Sequence, residues 1–148
     1  MSEIEAEIDD AVRAAGIEAG RWRKLPLEQA REICLAVRSR FVDGDPRAWW
    51  LTLKRPFESH SLPQGDGFRV IQTYVPVADE RCLLIPDTDE ADFPVYEVAV
   101  SDVSQVLSEC QYFEYYLVGE RLDWLVTETE HNAVIVVRPS SSDAREGQ

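Results

Sequence analysis

The feature that most constrains the fold is the segment from Tyr112 to Val137, YFEYYLVGERLDWLVTETEHNAVIVV. Many of its apolar residues stand at every second position, which is the period of a β-strand with one buried face. Gly119 and the polar pair Glu130-His131 stand where turns are needed. The segment therefore predicts three strands, at about 112–118, 121–128 and 132–138, joined by two hairpins.

The positions of the two turns predict a register. A two-residue turn at Gly119-Glu120, which uses the positive φ that glycine accepts, would place six core side chains on one face of the sheet. These are Phe113, Tyr115, Leu117, Leu122, Trp124 and Val126. A second turn at Glu130-His131 would pair Glu128 with Ala133 and add Ile135 and Val137 to that core face.

The opposite face of the hairpins is mixed rather than polar. We expect a helix, a second subunit or a partner to cover part of it, because several of its residues are apolar. Its members are Glu114, Tyr116, Asp123, Leu125, Thr127, Val134 and Val136.

The first forty residues repeat their apolar positions every three or four residues, which is typical of amphipathic helices. Helices are expected at 3–15, from Pro26 to Phe41 and, more briefly, at about 46–54, where WWLTL could instead start a strand. Further strands are expected at about 68–75, 81–86 and 94–100, after a loop at 56–67. The predicted fold class is α+β. N-terminal helices pack on a mostly antiparallel sheet of about six strands, with one helix inserted near 102–110.

The chain of 148 residues is expected to form one domain over 1–139, followed by a polar tail at 140–148. We expect neither a secretory leader nor a membrane-spanning helix, because the first residues lack a basic start and an apolar block and no apolar run reaches the roughly 18 residues that a span needs. Cys34, Cys82 and Cys110 are widely spaced and odd in number, which favours reduced thiols and a cytoplasmic location.

Charge is distributed unevenly along the chain. The formal net charge is −13, and residues 70–148 hold sixteen Asp/Glu against four Arg. Residues 21–69 hold ten Lys/Arg against six Asp/Glu. The acidic half would repel nucleic acid and anionic membranes and would steer a basic protein partner toward itself, although solubility alone also explains such a charge.

Candidate chemistry is sparse. The sequence DTDEAD at 87–92 begins like a calcium loop but lacks the glycine and the final glutamate of one, so it is interpreted as a solvated acidic loop. Glu128 falls on the core face and should find a donor in Arg121, Arg138 or a tyrosine hydroxyl. No catalytic constellation, metal site or cofactor motif is predicted. An alternative is an enzyme or small-ligand protein that uses Glu128, His131 and Tyr116.

The order of residues in the last third of the chain resembles a small bacterial domain family of unknown function. The shared pattern is FEYY, then WL, then a Glu/His tip, carried by Phe113, Glu114, Tyr115, Tyr116, Trp124, Leu125, Glu128 and His131. Where that family has Glu-Asn-His-His, this chain has Glu128-Thr129-Glu130-His131. The layout of helices before an antiparallel sheet is also loosely similar to the Smi1/Knr4-like superfamily. That second resemblance implies an immunity protein, which neutralises a toxin.

The leading hypothesis is a non-enzymatic cytosolic protein-binding domain, with an immunity protein against a basic toxin as its specific form. A homodimer formed through the mixed hairpin face is a further alternative. The expected partner-binding residues are carboxylates and two ring side chains: Asp87, Asp89, Glu90, Asp92, Glu114, Tyr116, Asp123, Glu128, Glu130 and His131.

Overall fold

The computed structural model describes residues 2–88 and 90–139, so Asp89 and the predicted tail at 140–148 lie outside the described residues. The fold class is α+β, as predicted. The helices are α1 (Glu3–Ala15), α2 (Leu27–Phe41), α3 (Gly67–Val70) and α4 (Val103–Ser108), with 3-10 turns at Trp49–Thr52, Ile71–Tyr74 and Val100–Asp102.

The described residues form one antiparallel sheet of seven strands. The strands are β1 (Trp22–Lys24), β2 (Glu58–Ser61), β3 (Arg81–Pro86), β4 (Tyr96–Ala99), β5 (Tyr115–Val118), β6 (Leu125–Glu128) and β7 (Ala133–Val137). Their order across the sheet is β1-β4-β3-β5-β6-β7-β2. Strands β3–β7 therefore lie inside the sheet, and β1 and β2 form its edges.

Each face of the sheet has its own hydrophobic core. Helices α1 and α4 pack on one face, where Ile8 and Val106 are fully buried, and we call this the α1/α4 core. Helix α2 and the turn at Trp49 pack on the other face around Val37 and Phe41, and we call this the α2 core. The mixed face of the hairpins is thus covered by a helix of the same chain.

Helix α1 begins with a capping box that also ties it to the sheet. Glu5 receives the Ser2 backbone N–H at 2.7 Å, and the Ser2 hydroxyl receives the Glu5 N–H at 3.2 Å. Glu5 also pairs with Lys24 of β1. The helix ends at Gly16, whose φ of 68° suits glycine.

The first hairpin has a longer loop than predicted. Tyr115 pairs with Glu128 and Leu117 with Val126, so the chain turns over residues 119–124 instead of 119–120. The shift is an even number of residues, so five of the six core side chains predicted for this hairpin keep their face and only Leu122 does not. Leu122 was wrongly assigned, because a φ of 58° turns it toward the α2 core.

Gly119 is needed for a different reason from the one predicted. Its φ is not among the positive values, but a Cβ at this position would lie 2.5 Å from Nε1 of Trp124. The loop folds over this indole, whose Nε1 donates to Asp79 at 3.0 Å. Close packing against the buried Trp124 therefore determines the conformation of this loop.

The second hairpin differs by one residue, which reverses the faces of β7. Asn132 has a φ of 59°, and the Thr129 N–H donates to the Ala133 carbonyl, so the loop holds three residues instead of two. Glu128 consequently pairs with Val134 rather than with Ala133. The prediction for Ile135 and Val137 was wrong, since Val134 and Val136 point into the α1/α4 core in their place.

Three further expectations are corrected, and one is confirmed. The predicted strand at 68–75 is α3 followed by a 3-10 turn, and the third helix is only the turn at Trp49–Thr52. The predicted loop at 56–67 contains β2, whose sequence ESHS lacks apolar alternation because it is an edge strand. The inserted helix is present as α4.

Among the helices of the described residues, none has the length and apolar character needed to cross a membrane.

The two-sided core makes a testable prediction. Leu125→Ala, at a fully buried position of the α2 core, should lower the free energy of unfolding by roughly 2–5 kcal/mol. The control Leu35→Ala, at an α2 side chain 66% exposed, should change it by less than about 0.5 kcal/mol. Urea denaturation measures both. Equal, small losses would mean that α2 does not cover this face.

Candidate functional site

A cavity of about 210 Å³ opens at the end of the sheet where β6 finishes. It lies between the tip of the second hairpin, the segment after α4 and the loop that leads into α3. Its lining residues are Gly65, Phe68, Leu107, Cys110, Gln111, Tyr112, Phe113, Tyr115, Glu128, Thr129, Glu130 and Asn132.

Glu128 supplies a buried carboxylate to this cavity. As the last residue of β6 it points to the α1/α4 side of the sheet and is only 3% exposed. The Tyr115 hydroxyl donates to its Oε1 at 2.9 Å, so a tyrosine hydroxyl is the donor among the three alternatives, Arg121, Arg138 and a tyrosine. Its Oε2 approaches α3 so closely that a Cβ on Gly67 would lie 2.8 Å away.

The charge of Glu128 is poorly compensated. Burial raises the pKa of this carboxyl above its ordinary value of 4.5, although hydrogen bonds from Tyr115 and from the backbone of Phe68 and Gly67 oppose the shift. Within residues 2–88 and 90–139, no Lys, Arg or His side chain forms an ion pair with Glu128. The site therefore holds a carboxylate that a cation would stabilise.

Aromatic side chains form the walls of the cavity. Phe113 and Tyr115 meet edge to face, with ring centroids 6.0 Å apart and planes at 70°. Tyr112 stands at the mouth and is 53% exposed. Its hydroxyl donates to the Glu128 carbonyl at 3.2 Å, so this exposed ring is held in place.

Other acidic groups surround the mouth. Burial raises the pKa of the Tyr112 hydroxyl, and the charges of Glu114, Glu128 and Glu130 raise it further. Glu130 is partly neutralised by Arg47, 3.4 Å away. The field at the mouth is therefore negative, which favours a cationic ligand over an anionic one.

Cys110 is the one thiol among the lining residues. Burial first, and then the nearby carboxylates Glu7 and Glu109, raise its pKa from 9.0 to about 11. A thiol in such surroundings stays protonated near neutral pH and is a poor nucleophile.

The three residues of the predicted enzyme alternative do not converge. Tyr116 is fully buried on the opposite face of the sheet from Glu128, where its hydroxyl accepts the Trp50 N–H at 3.4 Å. The side chain of His131 is 72% exposed, stands edge-on to Trp50 and does not line the cavity. Full burial also removes Tyr116 from any surface that a partner could touch.

The predicted acidic loop lies elsewhere, beside α2. Asp92 pairs with Arg31 at 2.9 Å, Asp87 is half-buried and Glu90 is exposed. Asp123, on the first hairpin loop, is half-buried. Part of the negative charge at the loop is thus cancelled by α2.

Sequence reasoning missed most of the cavity. Tyr112 was expected inside a strand, GDG at 65–67 was interpreted as the end of an ordinary loop, and Phe68 was expected to begin a strand. The available signal was Glu128 itself, a carboxylate on a core face. Since such a group needs donors nearby, glycine-rich backbone could have been considered alongside tyrosine. In the described part of the chain, no group of three or more His, Cys, Asp or Glu side chains is arranged to hold a metal ion.

Glu128 makes stability depend on pH in a defined direction. Because its pKa is raised in the folded protein, protonation favours the folded state, and the carboxyl becomes destabilising as pH rises from 4.5 through the folded pKa. Glu128→Gln does not titrate. The free energy of unfolding of the wild type, relative to this variant, should therefore fall over that range and level off above it.

Denaturation in urea at a series of pH values measures this difference. The exposed Glu90→Gln removes one charge at a position outside the cavity and shows the effect of charge alone. A wild type that gains stability relative to Glu128→Gln as pH rises would contradict the assignment.

Comparison with known proteins gives a family and nothing closer. Residues 1–146 match the model described as "Family of unknown function (DUF6756)". No curated protein and no solved structure matches the chain. The expectation of a small domain family of unknown function is confirmed, while the FEYY pattern and the likeness to Smi1/Knr4 proteins stay predictions. With nearly its whole length matched, the chain belongs to DUF6756, a family of unknown function.

Proposed function

We propose that this protein is a non-enzymatic binding domain whose cavity at Glu128 receives one cationic side chain of a basic protein partner. The observation that carries the proposal is a buried carboxylate, without a cation among the described residues, in an open cavity with aromatic walls. Binding of a cation would supply the missing charge partner.

The energetics favour a cation in two ways. Burial makes the ionised form of Glu128 costly, and an opposite charge within about 4–6 Å would lower its pKa again. A cation near Tyr112, Phe113 and Tyr115 would also be attracted to the ring faces. Both contributions are absent for a neutral ligand of the same shape.

The size of the cavity favours a side chain over a cofactor. Small-molecule sites usually have volumes of roughly 300–1,000 Å³, whereas this cavity measures about 210 Å³. One long side chain, inserted from a docked protein, is the occupant that such a volume suits. The net charge of −13, with Glu114 and Glu130 near the mouth, would speed the encounter with a basic surface.

We favour binding over catalysis because reactive groups are not assembled around Glu128. The His131 side chain is exposed to solvent, and Tyr116 is buried on the opposite face of the sheet from Glu128. The raised pKa of Cys110 keeps its thiol protonated. A cytoplasmic location is part of the proposal, since the three cysteines, all in the described residues, are free thiols.

Toxin neutralisation is the specific form of this proposal that the acidic charge suggests. The partner would then be a basic toxin domain, and docking would bury one of its cationic side chains at Glu128. Immunity proteins are usually encoded beside their toxins, so the purified product of the gene next to this one is the probe for this form. Tight binding by wild type, lost in Glu128→Gln and weakened by salt, would support it.

The cavity itself can be tested without knowing the partner. We predict that N-acetyl-L-lysine amide, N-acetyl-L-arginine amide or both shift the backbone amide NMR signals of Gly67, Phe68 and Tyr112. The uncharged N-acetyl-L-norleucine amide should not shift them. Glu128→Gln should abolish the shifts, because the buried charge is removed while the shape is kept.

Glu90→Gln is the matched control, since it removes one negative charge from an exposed loop outside the cavity. It should bind the cationic probes as the wild type does. The proposal fails if neither cation shifts the three amides, or if Glu128→Gln binds as tightly as wild type.

A further inference from the structure

We infer that the cation received by this cavity is an ammonium group, as on a lysine side chain, rather than a guanidinium group. The inference rests on the proposed function and specifies the chemistry of its ligand. Two features of the cavity distinguish the two cations: the remaining acceptor capacity of Glu128 and the arrangement of the rings.

Three donors already occupy the Glu128 carboxylate: the Tyr115 hydroxyl and the backbone N–H groups of Phe68 and Gly67. Of the roughly four acceptor positions of a carboxylate, about one therefore stays open, which is too few for a fork of two donors. The Oε1 of Glu128 accepts the Tyr115 hydroxyl at 2.9 Å. Its Oε2 is pressed against α3, where a Cβ on Gly67 would be only 2.8 Å away. A guanidinium makes its strongest contact when two parallel N–H groups reach both oxygens of one carboxylate. An ammonium is a compact point charge and needs only one open acceptor direction.

The rings also suit a compact cation. Guanidinium is planar and stacks flat on aromatic faces. Phe113 and Tyr115 meet edge to face at 70°, so these two rings do not offer parallel faces to both sides of a planar cation. A compact ammonium needs only one ring face at a time.

Tyr112 completes this arrangement at the mouth. Its hydroxyl is held by the Glu128 carbonyl, so the ring keeps its position although it is 53% exposed. Leu107 lines the cavity beside the rings and offers an apolar surface. A lysine stem of four methylene groups could lie against this surface while its charged end reaches Glu128.

The test compares dissociation constants from NMR titrations of the full chain with N-acetyl-L-lysine amide and N-acetyl-L-arginine amide. We expect the lysine probe to bind at least about fivefold more tightly, the ratio that a single favourable contact gives. Tyr112→Leu should weaken lysine binding by roughly two- to fivefold, since it removes the ring but keeps an apolar side chain. Tyr112→Phe keeps the ring and should lose less affinity than Tyr112→Leu.

The outcomes separate the two levels of the proposal. Equal or tighter binding of the arginine probe would overturn the ammonium assignment while leaving a cation site at Glu128. Binding of neither probe would overturn both the assignment and the proposed function. Lysine binding that is unchanged in Tyr112→Leu would overturn the part of the inference that gives the ring a role. Thermal unfolding of each Tyr112 variant checks that the fold is kept.

Discussion

Strand β6 is buried on both faces, and the rest of the structure depends on that burial. Val126 packs into the α1/α4 core, and Leu125 packs into the α2 core on the other side of the sheet. A strand with two buried faces needs a helical layer on each side, which explains why helices flank the sheet on both sides. The same burial extends to the last residue of the strand, Glu128, and so brings a carboxylate into an apolar layer.

The cavity is a consequence of how the fold accommodates that carboxylate. Tyr115, the residue paired with Glu128 on the neighbouring strand β5, donates a hydrogen bond from its hydroxyl. Gly67 lets the backbone of α3 come close because it has no side chain. These contacts satisfy hydrogen bonds without supplying a positive charge. Hydrogen bonds make the burial of this carboxylate tolerable for folding, but without a positive charge beside it the carboxylate would still be stabilised by a bound cation. The proposed binding function depends on that missing positive charge.

The sequence predicted which side chains of the central strands face the core better than it predicted the loops that join those strands. Strand β6 carried a clear signal, and an even register shift left Tyr115 and Trp124 on their predicted face. The loop lengths could not be predicted, because they depend on contacts distant in sequence, such as Asp79 with Trp124. One left-handed residue, Asn132, was enough to reverse the faces of β7. The cavity was missed for a similar reason, since three separate segments form it.

The most direct measurement is the pKa of the Glu128 side chain itself. Carbon-13 NMR of the carboxyl group, followed across a pH titration, reports it without perturbing the site. The account predicts a pKa above 4.5 in the free protein, and a lower pKa when N-acetyl-L-lysine amide is bound. A pKa at or below 4.5 in the free protein would mean that the fold already compensates this charge. It would contradict the claim that the cavity is built to receive a cation.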